Sequence, residues 1–431
     1  MEVAERYTTP WLLSIADNEI RNNISSRWLS AQIHEILLFK TYRLMERSCF
    51  TMASVLTNRQ RVLNQLTGDS IDRIPAMGGW IEGVDNLASI AGLSVDDYLA
   101  EPLKNFMKAN TTLAVDCMIF PIIPDTRDHF RAGHVDSQLD CEFTPESLLQ
   151  DAEKVPDTRS GVVSRLDVNR MEKDYRDQMS SWITAMGKDI SPITTIWEAV
   201  PDFMMYIKYG YEAYLTAIGL YPEAVGKLYW ESATIARVGN EIISKLIAEY
   251  DLPPVFFTGH DICNNVGPMC SLRFLQEYYF PEEKYAIEPF LEAGIRVIRH
   301  CDGNVMPIIE DTINAGYTGF QGFQYECGVD AHDIAGRKGV TGEEFIFFAG
   351  LNVTRTLPYG DPSDVREEID YVLDYTDGGR GLFFFTSSSI GPEVPLANIL
   401  SAYQYVTLGE YLTRDASKHR EWPGIHKGYT K

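Results

Sequence analysis

The sequence has no apolar run long enough to cross a bilayer, and its N-terminus has no compact apolar core like that of a signal peptide. Its seven cysteines are odd in number and scattered along 431 residues, a pattern that does not fit a disulfide framework. These absences argue against a membrane protein and against a disulfide-rich secreted protein. They predict a cytoplasmic protein.

Basic residues are also scarce, with 38 lysines and arginines against 61 aspartates and glutamates, and the formal net charge is −23. A surface of this sign repels phosphate groups, so we expect neither nucleic acid nor an anionic membrane as a partner. No GxGxxG follows a first strand, and no GxxxxGK[ST] motif occurs. Nucleotide binding therefore has no support from a local motif.

Eight apolar segments recur along the chain, with helix-like stretches between them. Such near-continuous hydrophobic runs are typical of parallel strands that are covered on both faces. The alternation predicts an α/β protein with a (β/α)8 TIM barrel, and a doubly wound open sheet is the alternative. The segments are DRIPAMGGW, VDCMIFPII, SPITTIWEAV, PPVFFTGHD, IRVIRHCDG, TGFQGFQYE, EFIFFAGLN and RGLFFFTSSSI.

Residues 1–51 differ from the rest of the chain, because their acidic and basic residues are equal in number while the remainder is strongly acidic. Met52 then opens the stretch MASVLTNRQ, which reads like a natural start. We therefore predict an N-terminal extension over residues 1–51 and a barrel domain over residues 52–431. The extension is either an appended arm, or translation from an upstream start, or an ordinary helical extension of the barrel.

Polar side chains follow five of the apolar segments, where each predicted strand ends. TIM-barrel enzymes keep their chemistry at the C-terminal ends of their strands, so these side chains predict an active site there. The residues are His260 and Asp261, His300 and Asp302, Glu326 and Cys327, Asn352, and Ser387 to Ser389.

Five stretches between about Arg59 and Thr407 resemble the uroporphyrinogen decarboxylase superfamily. That superfamily comprises the porphyrinogen decarboxylase and methyltransferases that serve cobalamin proteins or coenzyme M, and the resemblance implies its TIM-barrel fold. The stretches are NRQRVLNQLTGDSIDRIP, GHDICNNVGPMCSLRFLQEYYFP, HCDGNVMPIIEDTINAGYTGFQ, GLNVTRTLPYGDPSDVREEI and SSIGPEVPLANILSAYQYV.

The methyltransferase branch of this superfamily is the closer match. In the decarboxylase branch, arginines just after the first strand form a basic clamp for a substrate that bears many carboxylates. Here that position reads AMGGWIEG, and no arginine occurs between Arg73 and Arg127. Buried carboxylates need paired cations, so a porphyrinogen polyanion is not expected as the substrate.

The coenzyme M methyltransferases of the superfamily have a zinc site, made of a His-x-Cys motif after one strand and a further cysteine near the last strand. In this chain the first motif is His300-Cys301-Asp302, and the last cysteine is replaced within Ser387 to Ser389. The resemblance thus implies nitrogen and oxygen ligands, namely His300, Asp302 and Glu326. We expect these three to be catalytic and, if a divalent ion such as Zn²⁺ is held, to be its ligands.

The positions of these residues leave alternatives open. His300 and Asp302 point the same way on a strand, as a metal-binding pair or as an acid–base unit, or as a brace closing the barrel mouth. Glu326 could instead be a salt-bridged carboxylate of the rim.

Three further residues are expected to bind the substrate, namely His260, Asp261 and Asn352. Asp261 could instead be an acid at a helix N-terminus, and Asn352 could instead cap the following turn.

These features predict a methyltransferase that moves a methyl group from a small methoxylated or methylated-amine donor to the cobalt of a corrinoid protein. The corrinoid would be supplied by that partner protein. The chain itself is either a monomer or a homodimer. The alternatives are a decarboxylase or lyase acting on a small acid, and a non-catalytic barrel that binds a tetrapyrrole.

Overall fold

The structure is a computed structural model that describes residues 55–129, 143–418 and 420–424. The segment predicted as an extension, residues 1–51, lies outside these residues, so its status stays a prediction. The chain divides into the units Met1–Val55 and Leu56–Lys431, and the fold below is that of the second. Within the described residues, no helix is long and apolar enough to cross a membrane.

Eight parallel strands lie side by side in chain order and form a single sheet. The bridges Ala76–Phe384 and Ile81–Ile390 join the first strand region to the last, so the sheet closes into a barrel. The predicted (β/α)8 barrel is therefore confirmed, and each predicted apolar segment contains one strand. The strands are β1 Met77–Gly78, β2 Cys117–Ile119, β3 Ser191–Thr195, β4 Val255–Thr258, β5 Arg296–His300, β6 Gly319–Gln321, β7 Ile346–Leu351 and β8 Leu382–Thr386.

Helices alternate with the strands, and several begin at capping residues. Asp361 accepts hydrogen bonds from the backbone N–H groups of Ser363 and Asp364, at 2.8 and 3.1 Å. The helices are α1 Asn58–Thr67, α2 Val84–Ala91, α3 Val95–Ala100, α4 Pro102–Thr112, α5 Pro145–Glu153, α6 Arg159–Val163, α7 Val168–Met186, α8 Tyr206–Tyr209, α9 Tyr211–Leu220, α10 Pro222–Glu249, α11 Leu272–Phe274, α12 Phe280–Glu292, α13 Ile309–Ala315, α14 Ala331–Ala335, α15 Thr356–Tyr359, α16 Pro362–Tyr375 and α17 Leu396–Thr407.

Apolar side chains fill the inside of the barrel. Trp80 packs on Phe257 and Phe385, with ring centroids 5.9 and 5.1 Å apart. Val62 and Leu66 of α1 belong to the same buried cluster, so this helix, which precedes β1, covers the N-terminal end of the barrel. The interior is thus packed and closed at that end, and a ligand has to bind at the C-terminal end.

An ion pair buried outside the barrel anchors β5. Arg299 and Glu283 of α12 are both 0% exposed, and the guanidinium Nη1 lies 2.5 Å from the carboxylate Oε1. Successive residues of a strand point to opposite faces, so Arg299 points outward to α12 while His300 points into the barrel. The pair therefore holds the strand that presents His300.

The Glu283→Gln variant should lose about 3–5 kcal/mol of unfolding free energy, because it leaves the Arg299 guanidinium buried without a counter-charge. Chemical denaturation of the purified variant measures this loss. Glu288→Gln, on the same helix, is the matched control, because Glu288 is 51% exposed in its pair with Arg237. The control should lose no more than about 1 kcal/mol, and equal losses in both variants would contradict the anchoring role.

Candidate active site

A cavity of about 520 Å³ opens at the C-terminal ends of β3, β4 and β5. Trp197 follows β3, His260 and Asp261 follow β4, and His300 ends β5; all four line the cavity. Its volume is in the range that small-molecule sites occupy. The cavity thus lies where the fold and the sequence both predict an active site.

At one side of this cavity, the side chains of Asp261, His300 and Asp302 come together. One nitrogen or oxygen atom of each residue lies within 4.8 Å of those of the other two. His300 Nε2 is 3.3 Å from Asp261 Oδ1, which also accepts a hydrogen bond of 2.7 Å from the backbone N–H of Asp302. Asp261 therefore links the end of β4 to the end of β5.

Glycines allow the strand ends to approach this closely. Gly259 has a φ of +134°, and a Cβ there would lie 2.3 Å from the backbone oxygen of His300. Gly303 has a φ of +85°, and a Cβ there would lie 2.4 Å from the backbone oxygen of Asn264. Any other residue at either position would push the loops apart and separate Asp261 from His300.

Gln321 of β6 fixes the orientation of the His300 ring. Its amide Nε2 donates to the backbone oxygens of Thr386 and Ser387, at 2.7 and 2.9 Å. Its Oε1 is thereby turned to His300 Nδ1 and accepts a hydrogen bond from it. The other nitrogen, Nε2, is left facing Asp261, where it can donate a proton or bind a metal ion.

Burial and neighbouring charges shift the pKa values of this cluster in opposite directions. Burial alone would lower the pKa of His300, but the Asp261 carboxylate, with further support from Asp302 and Gln321, raises it to about 10. Burial raises the pKa of Asp302 to about 7, with a further contribution from the charge of Asp261. Burial lowers the pKa of His260 to about 4, so that ring is neutral.

Aromatic rings surround the imidazole of His300. The ring centroids of Trp80 and Trp197 each lie 5.5 Å from it, and that of Phe257 lies 6.0 Å away. These rings exclude water from one side of the imidazole, which strengthens its interaction with Asp261. The site therefore combines a charged cluster with flat apolar walls.

The cluster also has the ligands that a divalent metal ion requires. Asp302 Oδ1 is buried and has no hydrogen-bond partner, so it is able to bind a cation. One imidazole nitrogen and two carboxylates fit a catalytic zinc site, which has three protein ligands and keeps one position open. Asp261, His300 and Asp302 are thus the residues that would hold such an ion.

The structure places the predicted residues unequally. His300 and Asp302 come together as predicted. Glu326 lies outside the cluster, and the third member is Asp261. The carboxylate of Glu326 instead accepts hydrogen bonds from Asn352 Nδ2 and from the Thr354 hydroxyl, the latter at 2.6 Å. The predicted metal set is therefore corrected to Asp261, His300 and Asp302.

The three predicted substrate-binding residues also differ in position. His260 and Asp261 line the cavity. Asn352 is 0% exposed, and its Oδ1 accepts from the backbone N–H groups of Thr354 and Arg355, at 3.0 and 2.6 Å. Asn352 therefore does not line the cavity. It caps the turn after β7, which was the alternative to a substrate-binding role.

Gln321, Trp197 and Trp80 were not predicted as site residues. Gln321 ends β6, so the rule that selected polar residues at strand ends applies to it, but its predicted segment TGFQGFQYE continues past it to Glu326. Two of them are aromatic, and an aromatic residue next to a strand is more often part of the core.

Comparison with known proteins supports the fold. A methyltransferase from Methanosarcina mazei has a similar structure, with a TM-score of 0.53 and 15% sequence identity over 82% of this chain and 99% of that chain. No protein-family model and no curated protein matches the sequence. At this identity the similarity is one of fold, and fold does not determine function.

In the metal-free protein, His300 should remain an imidazolium through neutral pH and titrate at about pH 10, while His260 stays neutral above about pH 4. NMR spectra of the imidazole nitrogens across this pH range measure both. Asp261→Asn should lower the pKa of His300 below 6.5, because the burial remains and the counter-charge is lost.

The same shift predicts how stability changes with pH. The folded protein holds the His300 proton more tightly than the unfolded chain, so this contribution is complete below about pH 6.5 and is lost as the pH rises through about 10. The unfolding free energy of His300→Gln should therefore fall less steeply over that interval. A wild-type His300 that titrates near pH 6.5 would contradict the pairing with Asp261.

Proposed function

We propose that this protein belongs to the uroporphyrinogen decarboxylase superfamily and is a methyltransferase. It takes a methyl group from a small methoxylated or methylated-amine donor and delivers it to the cobalt of a separate corrinoid protein. The observation that carries the proposal is the Asp261–His300–Asp302 cluster beside a cavity at the C-terminal end of the barrel. The similar fold of a protein named as a methyltransferase supports it.

The chemistry of such a transfer requires what the cluster offers. The reduced corrinoid supplies the nucleophile, so this chain has only to bind the donor, orient it and stabilise the leaving group. An ether oxygen or amine nitrogen is a poor leaving group, because the anion it would form is too basic. His300 Nε2 can give its proton to that atom, while Asp261 holds the ring in place.

A divalent ion such as Zn²⁺ would serve the same purpose by binding the leaving atom as a Lewis acid. Asp261, His300 and Asp302 would hold it. In the proton version, His300 and Asp261 act directly and the charge of Asp302 helps to keep His300 protonated, whereas in the metal version all three residues are ligands and His300 is neutral.

Incubation of the purified chain with a reduced cobalamin and candidate donors under anaerobic conditions tests the proposal. Methyl transfer, followed by the change in the cobalamin absorption spectrum, supports it. Release of CO₂ from a small acid without methyl transfer would favour the alternative decarboxylase or lyase. Tight binding of the corrinoid without turnover would favour a non-catalytic barrel.

Asp302→Ala should lower the methyl-transfer rate by about 10²–10⁴-fold while the fold is retained, because barrel stability rests on many apolar contacts. Any bound metal should be lost as well, which elemental analysis of the purified variant measures. Glu326→Gln is the matched control and should lose much less activity, because Glu326 lies outside the cluster.

Two results would argue against this assignment. A fully active Asp302→Asn enzyme without bound metal would contradict both the metal and the acid–base versions. If Asp302→Ala instead lowered the melting temperature and kept activity in proportion to the amount of folded protein, His300 and Asp302 would be a structural brace.

A corrinoid protein would dock at the barrel mouth, on the loops over residues 260–269 and 386–393. Val266 in the first loop is 85% exposed, and Glu393 in the second is exposed. Glu393→Lys should therefore raise the apparent KM for the corrinoid protein several-fold with little change in kcat, because a charge at the rim affects encounter. The exposed Glu153 of α5 provides the control Glu153→Lys, and equal kinetics in both variants would exclude this face.

A further inference from the structure

We propose that the methyl donor is a methylated ammonium cation, recognised by the acidic and aromatic walls of the cavity. This inference rests on the proposed function and narrows it, because that function allows either a methoxylated or a methylated-amine donor. Two features of the cavity lining carry it, namely its excess of negative charge and the indole ring of Trp197.

The residues that line the cavity carry an excess of negative charge. Glu198, Asp202 and Asp261 contribute three carboxylates, and no lysine or arginine is among the lining residues. His300 is the cation of the lining, and it is paired with Asp261. Glu198 and Asp202 are therefore left to attract a positive ligand, and a donor that bears a carboxylate would be repelled.

One indole ring of the lining supplies a surface that suits an alkylated cation. Trp197 is half-buried and lines the cavity, and the buried Trp80 supports it from behind, with ring centroids 6.4 Å apart. The face of an indole attracts cations, and quaternary ammonium groups are recognised in this way. Methyl groups on the nitrogen would also bury apolar surface against the Trp197 ring.

The transfer balances for such a donor without an added proton. The bond between nitrogen and the methyl carbon breaks, and its electron pair stays on the nitrogen, which leaves as a neutral amine. The methyl carbon meanwhile accepts an electron pair from the reduced cobalt of the partner protein, which is oxidised by two electrons. An amine that departs neutral is a far better leaving group than an alkoxide, and the lone pair of the departing amine can then accept the His300 proton.

Titration calorimetry of the full chain with two probes of equal shape tests the proposal. Choline carries a trimethylammonium group, and 3,3-dimethylbutan-1-ol is its uncharged analogue. We expect choline to bind at least about tenfold more tightly than the alcohol, and 4-methoxybenzoate to bind more weakly than either. Equal binding of the two analogues, or tighter binding of 4-methoxybenzoate, would overturn the proposal.

Variants then separate recognition from folding. Asp202→Asn should weaken choline binding at least about fivefold with little change in melting temperature, because Asp202 is exposed and lines the cavity. Trp197→Leu should weaken choline binding as well, whereas Glu153→Gln, which removes the same charge outside the lining, should not. Unchanged binding in both cavity variants would overturn the proposal.

These binding results do not depend on turnover, so the two proposals can fail separately. Choline binding without any methyl transfer to cobalamin would leave the ligand class intact and refute the methyltransferase. Methyl transfer from a methoxylated acid, without choline binding, would keep the methyltransferase and refute the ligand class.

Discussion

The close approach of β4 and β5 at their C-terminal ends is the constraint on which the site depends. The backbone of Gly259 lies so near the backbone oxygen of His300 that a Cβ would not fit between them. Only at this distance can Asp261 accept from both the imidazole of His300 and the backbone N–H of Asp302. The packing of the two backbones thus determines where the side chains of the charged cluster meet.

A second set of contacts determines the chemistry of that cluster. Gln321 is held by two carbonyl groups at the end of β8, so its remaining oxygen accepts a hydrogen bond from His300 Nδ1 and fixes the orientation of the ring. On the outer face of β5, the buried Arg299–Glu283 pair holds the same strand against α12. The reactive nitrogen of His300 is therefore oriented by four strands and a helix rather than by one local motif.

The electrostatic character of the site extends that of the chain. The sequence is strongly acidic, with a formal charge of −23, and the cavity repeats this excess on a small scale through Glu198 and Asp202. Inside the barrel the charge of Asp261 raises the pKa of two histidines, with different outcomes. Asp261 also pairs with the imidazole of His300 and keeps it charged, whereas the burial of His260 outweighs the charge of Asp261 and leaves that ring neutral.

Sequence by itself determined the architecture and the end of the barrel that carries the chemistry. Parallel strands covered on both faces have to be hydrophobic over their whole length, so all eight were visible as local apolar runs, and polar residues such as His300 and Asp302 marked where they end. Only the tertiary structure decided which strand ends meet. Asp261 and Glu326 are both acids after a strand, yet a positive φ at Gly259 brings one beside His300, while the capped turn at Asn352 holds the other away. Such contacts depend on distances between strands remote in sequence, which no local pattern of residues encodes.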